Sequence, residues 1–162
     1  MRILGVDPGI ARTGWGIIEY QKSNIKNQKY GCVETSSNLA SEQRLKHIYG
    51  TILSIIKKHK PDALAVEELF FNTNAKTAFI VGQARGVVLL AASEKDIPVA
   101  IYTPLQVKIA VTGYGRAEKA QIGQMVKVIL KLKEIPKPDD VADALAVALT
   151  HAFSKNFKQA TH

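Results

Sequence analysis

Four carboxylates in this sequence could together bind divalent metal ions, because each one stands where a predicted strand ends or a predicted helix begins. They are Asp7, Glu67, Asp140 and Asp143. Neighbouring carboxylates repel one another and raise each other's pKa, so a cluster of four is stable mainly around cations. The candidate ligand atoms are all oxygens, which favours Mg²⁺ or Mn²⁺ over zinc. Two such ions can activate water and stabilise the leaving oxygen in phosphodiester cleavage.

Each carboxylate also has a purely structural interpretation. Asp7 precedes Pro8-Gly9 and could close an Asx-turn. Asp140 could be the N-cap of the last helix, with Asp143 in its first turn complementing the helix dipole. Glu67 is harder to explain in this way, since a carboxylate that ends an apolar strand is costly without a partner. The residue types alone therefore allow a metal site and leave the capping and turn roles open.

The composition is that of a basic protein without an obvious export or membrane signal. A net charge of +8 and a pI near 9.6 favour polyanionic partners, because each neutralised phosphate releases counterions, although such a charge also serves solubility. The single cysteine, Cys32, excludes an intramolecular disulfide. The longest apolar run, residues 87–92, is far shorter than the ~20 residues that cross a bilayer. We therefore expect a cytoplasmic protein with no membrane partner.

Hydrophobic patterning predicts one α/β domain over residues 1–153, followed by a short polar tail, residues 154–162, that we expect to be frayed. Strands are predicted at residues 2–6, 14–20, 28–35, 63–66 and 98–103. Helices are predicted from Ser41, as N-cap, to a stop at Pro61, and at residues 76–95, 105–111, 117–132 and 141–153. The polar stretch 22–29 reads as a turn, which joins the first strands in an antiparallel meander. The alternation of strands and helices after it indicates parallel strands covered on both faces.

Blocks of sequence in a constant order resemble the RuvC family of Holliday-junction resolvases. They are ILGVDPG at 3–9, TGWG at 13–16, AVEELF at 65–70, GQARG at 82–86, QVK at 106–108, GYGRAEK at 113–119 and DVADALA at 140–146. A lone Asp-Pro-Gly would be a weak signal. Blocks in family order over nearly the whole chain are specific.

The resemblance implies a ribonuclease H-like fold, with a five-stranded mixed sheet flanked by helices, and an endonuclease of homologous recombination and DNA repair. It implies a homodimer that cuts four-way junctions by paired symmetrical nicks and leaves 5′-phosphate and 3′-hydroxyl ends. It also implies two Mg²⁺ ions per site, for which Mn²⁺ can substitute, and a branch-migration helicase complex as partner. The family's catalytic positions map onto Asp7, Glu67, Asp140 and Asp143.

Two neighbouring acidic residues make this assignment ambiguous. Glu68 departs from the family, which often has an amide there; we choose Glu67 because adjacent side chains of a strand point to opposite faces. The Asp-x-x-Asp spacing selects Asp140 with Asp143 over Asp139, which we expect to lie outside the helix.

The resemblance also suggests residues that contact DNA. Phe70 matches an aromatic residue that stacks on an unpaired base, an interaction worth roughly 1–3 kcal/mol. Lys108 and Lys119 match basic positions near the scissile phosphate, and Arg116 lies in the Gly-rich basic loop between them. Arg85 could contact DNA or support helix packing. Without the resemblance, Phe70 reads as a core residue and the lysines as solvated. The segment 82–86, with a glycine at each end, permits close helix approach and could contribute to the dimer interface.

Three other functions are compatible with parts of the sequence. The DPG turn followed by Thr13-Gly14 resembles the phosphate-binding hairpin of actin-like ATPases, but those proteins repeat the core in a much longer chain. A noncatalytic junction-binding protein would lack the four carboxylates. Another ribonuclease H-like nuclease, acting on RNA–DNA hybrids or single strands, would share the metal chemistry and differ in surface shape.

Overall fold

The computed structural model describes residues 1–21, 24–68 and 75–160, with side chains as far as residue 154 in the last helix. The strands in these ranges are β1 (Arg2–Asp7), β2 (Arg12–Gln21), β3 (Asn24–Glu34), β4 (Ala63–Glu67) and β5 (Val99–Tyr102). The helices are α1 (Ser41–His59), α2 (Ala75–Ser93), α3 (Pro104–Thr112), α4 (Lys119–Ile129) and α5 (Asp139–Ala160).

The strands form one mixed sheet in the order β3-β2-β1-β4-β5. β1, β2 and β3 pair antiparallel, whereas β4 pairs parallel to β1 and to β5. This arrangement confirms the predicted five-stranded sheet, with an antiparallel meander followed by parallel strands. The parallel pairs require helical crossovers, which cover the faces of the sheet.

Alternating side chains of the central strands feed a separate hydrophobic core on each face of the sheet. On one face Ile3 and Ala65 pack with α3, α4 and α5, where Leu145 and Leu149 are fully buried. On the other face the core contains the neighbouring strand residues and the buried sides of α1 and α2. Asp7 and Glu67 continue the alternation of Ile3 and Ala65, so both belong to the α5 face.

Helix α5 lies unusually close to the sheet because β1 and β2 carry glycines beneath it. A Cβ atom on Gly14 would lie 2.0 Å from the carbonyl oxygen of Asp140, and one on Gly5 would lie 1.9 Å from that of Ala144. Only glycine permits backbone contact of this kind. The two glycines therefore set the depth at which the first turns of α5 rest on the strands.

The helix termini differ from the predicted ones at several points. Ser41 is the first residue of α1 rather than its N-cap, a position held by Ala40 without a side-chain hydrogen bond. Helix α4 begins only at Lys119, after the N-cap Glu118. Its shorter length follows from the capping box between Glu118 and Gln121, which fixes the start.

Helix α5 is longer than predicted at both ends. It begins at Asp139, so Asp139 lies inside the helix and Asp140 belongs to its first turn instead of capping it. It continues to Ala160, so residues 154–160 are helical rather than a frayed tail. The segment contains no Gly or Pro to stop the helix, and the Ser154 hydroxyl donates a hydrogen bond to the Thr150 carbonyl.

Strand β3 also starts earlier than predicted, at Asn24, so the polar residues 24–27 are part of a strand instead of a turn. The reason is its place at the edge of the sheet, where most of its residues are exposed and polar side chains are favourable. Lys22 and Ser23, between β2 and β3, lie outside the described residues.

Candidate active site

Adjacent parallel strands bring Asp7 and Glu67 together. Val6 of β1 is in register with Val66 of β4, so the next residue of each strand, Asp7 and Glu67, ends its strand beside the other. The carboxyl ends of parallel strands are where α/β sheets build their sites. The structure thus places the first two predicted carboxylates side by side on the α5 face.

The first turn of α5 brings the other two carboxylates to the same edge. Asp140 and Asp143 have side chains that are 29% and 25% exposed, whereas the Asp139 side chain is 73% exposed. Residues three apart share one side of a helix, which here is the side turned to the sheet. The predicted choice of Asp140 and Asp143 over Asp139 therefore agrees with the burial of the three side chains.

Burial and mutual repulsion both disfavour negative charge on this cluster, and burial has the larger effect. Burial, the charges of Asp143, Asp140 and Glu67, and an opposing effect of Lys119 together raise the pKa of Asp7 to about 7. Burial also raises the pKa of Glu67 and of Asp143. The carboxylates are therefore held close together at a cost that a nearby cation would remove.

Two basic side chains are in contact with the cluster. The Lys119 Nζ atom lies 2.9 Å from Oδ2 of Asp143 and 3.9 Å from Oδ2 of Asp139. The Arg12 Nε atom lies 3.6 Å from Oδ2 of Asp140. Sequence reasoning missed Arg12, although its position directly after the turn that follows Asp7 was a signal that it would lie at the same edge of the sheet.

A cavity of about 330 Å³ opens directly beside the carboxylates. Its polar lining includes Glu67, Asp143, Lys108, Arg116 and Lys119, and its apolar lining includes Val107, Ile122 and Val147. The structure therefore brings three of the predicted DNA-contacting residues to the carboxylate site. A cavity with basic walls next to clustered carboxylates suits a phosphodiester whose scissile bond faces the acidic side.

The other two predicted DNA contacts are not part of this cavity. Phe70 lies outside the described residues. Arg85 lies on α2, whose buried side packs on the opposite face of the sheet from α5. Its Nε atom is buried without a hydrogen-bond partner in the described part of the chain, so its role stays a prediction.

The residues of the cluster fit a divalent cation. Every donor is a carboxylate oxygen, and the raised pKa of Asp7 reflects its burial and then the neighbouring negative charges that such an ion neutralises. Among the described side chains no three acidic, His or Cys groups already converge closely enough to hold an ion. The donor set and its charge therefore suit a hard, oxygen-liganded cation, while Lys119 and Arg12 supply the positive charge in this structure.

Helix α5 lies on the same face of the mixed sheet as α3 and α4, and the carboxylates lie at the carboxyl ends of the parallel strands. This arrangement defines a ribonuclease H-like nuclease, a class that depends on divalent metal ions. The family model described as crossover junction endodeoxyribonuclease RuvC matches residues 3–151, and the chain belongs to this family. Its curated relatives include the enzymes of that name from Desulforamulus reducens, 60% identical over 94% of this chain and 93% of the relative, and from Alkaliphilus metalliredigens, 56% identical over 98% and 96%.

Solved structures agree with this assignment. Thermus thermophilus RuvC has a TM-score of 0.90 at 40% identity, covering 98% of this chain and 97% of that one. The same protein in complex with a Holliday junction substrate has a TM-score of 0.92 at 40% identity, covering 98% and 96%. The predicted fold and enzyme class are confirmed: the chain is a crossover junction endodeoxyribonuclease.

Proposed function

We propose that this protein resolves four-way DNA junctions by paired symmetrical nicks that leave 5′-phosphate and 3′-hydroxyl ends. The observation that carries the proposal is the contact between the carboxylate cluster and the basic cavity lined by Lys108, Arg116 and Lys119. A relative solved with a Holliday junction, with 40% identity to this chain, supports the same substrate. Recombining DNA is the source of such junctions, and we place the enzyme in the cytoplasm.

We assign Asp7, Glu67, Asp140 and Asp143 as the ligands of two Mg²⁺ ions, for which Mn²⁺ can substitute. When bound, the ions supply an activated water and stabilise the leaving oxygen. Lys108 and Arg116 donate hydrogen bonds to phosphate oxygens and so place the strand against the carboxylates. Arg12 keeps the Asp140 carboxylate oriented by its ion pair, and the apolar lining of the cavity limits free water around the phosphodiester.

Cleavage of a substrate panel tests the proposal directly. The full-length protein is incubated with labelled four-way junction, linear duplex and RNA–DNA hybrid, each with Mg²⁺ and with EDTA. We expect symmetrical cutting of the junction alone, and only with Mg²⁺. Equal cutting of the three substrates, or cutting that survives EDTA, would contradict the proposal. Preference for the hybrid would indicate the rival nuclease activity.

The choice of Glu67 over Glu68 has its own test. Glu67→Gln should lower the cleavage rate at least about 100-fold, because an amide replaces a charged ligand beside the reacting phosphate. Glu68→Gln should stay within a few-fold of the unchanged enzyme, since Glu68 is exposed beyond the end of β4 and its hydrogen bond within the described part of the chain is from the backbone N–H to the Tyr102 carbonyl. Single-turnover cleavage of the junction measures both rates. The reverse result would assign the ligand role to Glu68.

We further propose a homodimer built on the outer side of α2. Phe79, Gln83, Gly86 and Leu90 recur along one side of this helix, and Phe79 and Leu90 are 67% and 53% exposed. A Cβ atom on Gly86 would meet nothing within 4 Å, which leaves room for a second helix. Among the described residues, α2 is the one helix whose length and apolar composition would allow it to cross a membrane. A buried helix of a soluble protein can have the same length and composition. A two-fold interface on this side matches two equivalent strands of a junction.

Leu90→Asp should convert the dimer to a monomer, because it places a charge within the proposed apolar contact. Sedimentation velocity at micromolar concentration measures the mass. Val128→Asp is the matched control, since Val128 is also an exposed aliphatic residue but lies on α4. A Leu90→Asp protein that keeps the dimer mass would exclude this interface. The branch-migration helicase complex stays a prediction from the resemblance.

A further inference from the structure

Lys119 occupies an unusual position between the carboxylates and the cavity. It is the first residue of α4, and its ammonium group donates a hydrogen bond to Asp143. The same side chain lines the cavity of about 330 Å³ on one side and a second cavity of about 280 Å³, shared with Lys137, on the other. Its ammonium group therefore has open space on both sides of the contact with Asp143.

The contact with Asp143 competes with metal loading. An oxygen lone pair that accepts a hydrogen bond from an ammonium group is not free to coordinate a metal ion. A divalent ion on the carboxylates would also repel the ammonium group over a distance of a few ångström. A carboxylate has about four acceptor sites, so Asp143 can still approach an ion through those that Lys119 leaves free. Movement of the Lys119 side chain away from Asp143 therefore strengthens metal binding.

The structure offers a destination for the displaced group. The Lys119 side chain is 59% exposed and is not held by the core, so its flexible stem can turn without disturbing the fold. The larger cavity already contains Lys108 and Arg116 in its lining. Glu67, Glu118 and Asp143 line the same cavity and balance these cations in the metal-free protein. Metal ions bound to Glu67 and Asp143 would neutralise two of these carboxylates, and the cations would then favour a further anion, which in a DNA-cutting enzyme is a backbone phosphate.

We propose that Lys119 is an exchangeable counter-ion: it neutralises Asp143 before metal loading, and the incoming divalent ions transfer its ammonium group to a DNA phosphate in the cavity of Lys108 and Arg116. The inference rests on the proposed function, in which Asp143 is a metal ligand. Lys119 then has one role in the metal-free site, where it neutralises Asp143, and another in the metal-loaded site, where it binds a phosphate of the substrate. The exchange also couples metal binding to DNA binding. Metal ions free the Lys119 ammonium group to bind the phosphate, and a bound phosphate keeps that group from competing for Asp143.

Metal binding to the DNA-free, full-length protein gives the first test. Isothermal titration with Mn²⁺ should show affinity roughly five- to tenfold higher for Lys119→Met, because its competitor is removed. Lys108→Met is the matched control: it removes one positive charge that also lowers the pKa of Glu67, but no ion pair involves Lys108 among the described side chains. We expect its affinity to change no more than about twofold, as for a long-range charge effect. Equal gains in both variants, or no gain in Lys119→Met, would overturn the exchange.

Junction binding gives the second test, with Ca²⁺ as an ion that occupies oxygen sites. The unchanged protein should bind the four-way junction roughly five- to tenfold more tightly with Ca²⁺ than with EDTA. Lys119→Met should lose this gain, whereas Lys108→Met should bind more weakly overall and keep it. A gain that survives in Lys119→Met would overturn the proposal. Lys119→Gln replaces the Met variant should the latter fail to fold by circular dichroism.

The outcomes also separate this inference from the proposed function. If the unchanged protein binds no Mn²⁺, or if Asp143→Asn binds it as well as the unchanged protein does, then the assignment of Asp143 as a metal ligand fails. If the unchanged protein binds Mn²⁺ through Asp143 but Lys119→Met binds it no more tightly, the metal site stands and the exchange is wrong.

Discussion

Asp7→Asn is expected to abolish cleavage while making the metal-free protein more stable above pH 7. The carboxyl group of Asp7 has a pKa raised from 3.8 to about 7 by burial and by the neighbouring acidic residues. The folded state thus holds this proton more tightly than the unfolded chain. The stabilisation is fully present below about pH 4 and is lost as the pH rises through 7.

Asparagine keeps a neutral group of the same shape at every pH, so the variant does not lose this stabilisation as the pH rises. A pKa raised by this amount corresponds to about 4 kcal/mol at most, and we expect about 2 kcal/mol of added stability at pH 8 because neighbouring side chains and water adjust. Urea denaturation in EDTA at pH 5 and pH 8 measures the free energy of unfolding. The difference between the two proteins should be small at pH 5 and largest at pH 8.

Whereas stability should rise, the cleavage rate and the stabilisation by Mg²⁺ should both fall in Asp7→Asn. Loss of a charged ligand at the reacting phosphate should lower the cleavage rate at least about 1,000-fold, and Mg²⁺ should no longer raise the unfolding free energy as it does for the unchanged protein. Junction binding in EDTA should persist. Asp139→Asn is the matched control, because Asp139 is a mostly exposed carboxylate in the first turn of α5 and should change stability by no more than about 0.5 kcal/mol. A less stable Asp7→Asn protein at pH 8 would show instead that Asp7 is a turn residue.

Local patterns predicted the placement of the carboxylates well because the relevant constraints are short in range. An apolar run that ends in Asp7 and another that ends in Glu67 are recognisable within a few residues. Once the two strands are parallel neighbours, their carboxyl ends must meet at one edge. Asp140 and Asp143 are three residues apart, so they lie on the same side of a helix wherever that helix begins.

Contacts between distant segments were not predictable in this way. The ion pair of Arg12 with Asp140 joins the start of β2 to the start of α5, and no local pattern contains both. The start of α5 at Asp139, the first residue of a helix that was predicted to begin at residue 141, was missed for a similar reason. Its first turn rests on Gly14 of β2, so tertiary contact decides where the helix begins.

Lys119 illustrates a further limit of prediction from the sequence. Resemblance marks it as a basic residue near DNA, which describes its charge but not its partner. In the structure its partner is Asp143, one of the carboxylates of the site itself. A sequence motif can identify both residues and still leave out that one neutralises the other, because the contact depends on how α4 and α5 pack.

Gly14→Ala is expected to damage both the fold and the active site, since the glycine determines how closely α5 approaches the sheet. The new methyl group would lie 2.0 Å from the Asp140 carbonyl oxygen and 2.2 Å from its carbonyl carbon. These are backbone atoms, so the clash cannot be relieved by rotation of a side chain. The first turn of α5 must move outward, and the buried packing of Val141 and Leu145 beneath it loosens.

We expect Gly14→Ala to lower the free energy of unfolding by about 3 kcal/mol, the upper part of the range for overpacked sites. Cleavage should fall at least about 100-fold even at saturating Mg²⁺ and at a temperature where the variant is folded, because a shift of about 1 Å in reacting groups is enough for such a loss. Gly50→Ala is the control: a Cβ atom there meets nothing within 4 Å, and alanine in the middle of α1 should stabilise the protein by about 0.5–1 kcal/mol. If Gly14→Ala loses stability but keeps cleavage within a few-fold, the carboxylates of α5 do not depend on its depth against the sheet. If both fall together, the glycine beneath α5 is as necessary to the site as the carboxylates it brings together.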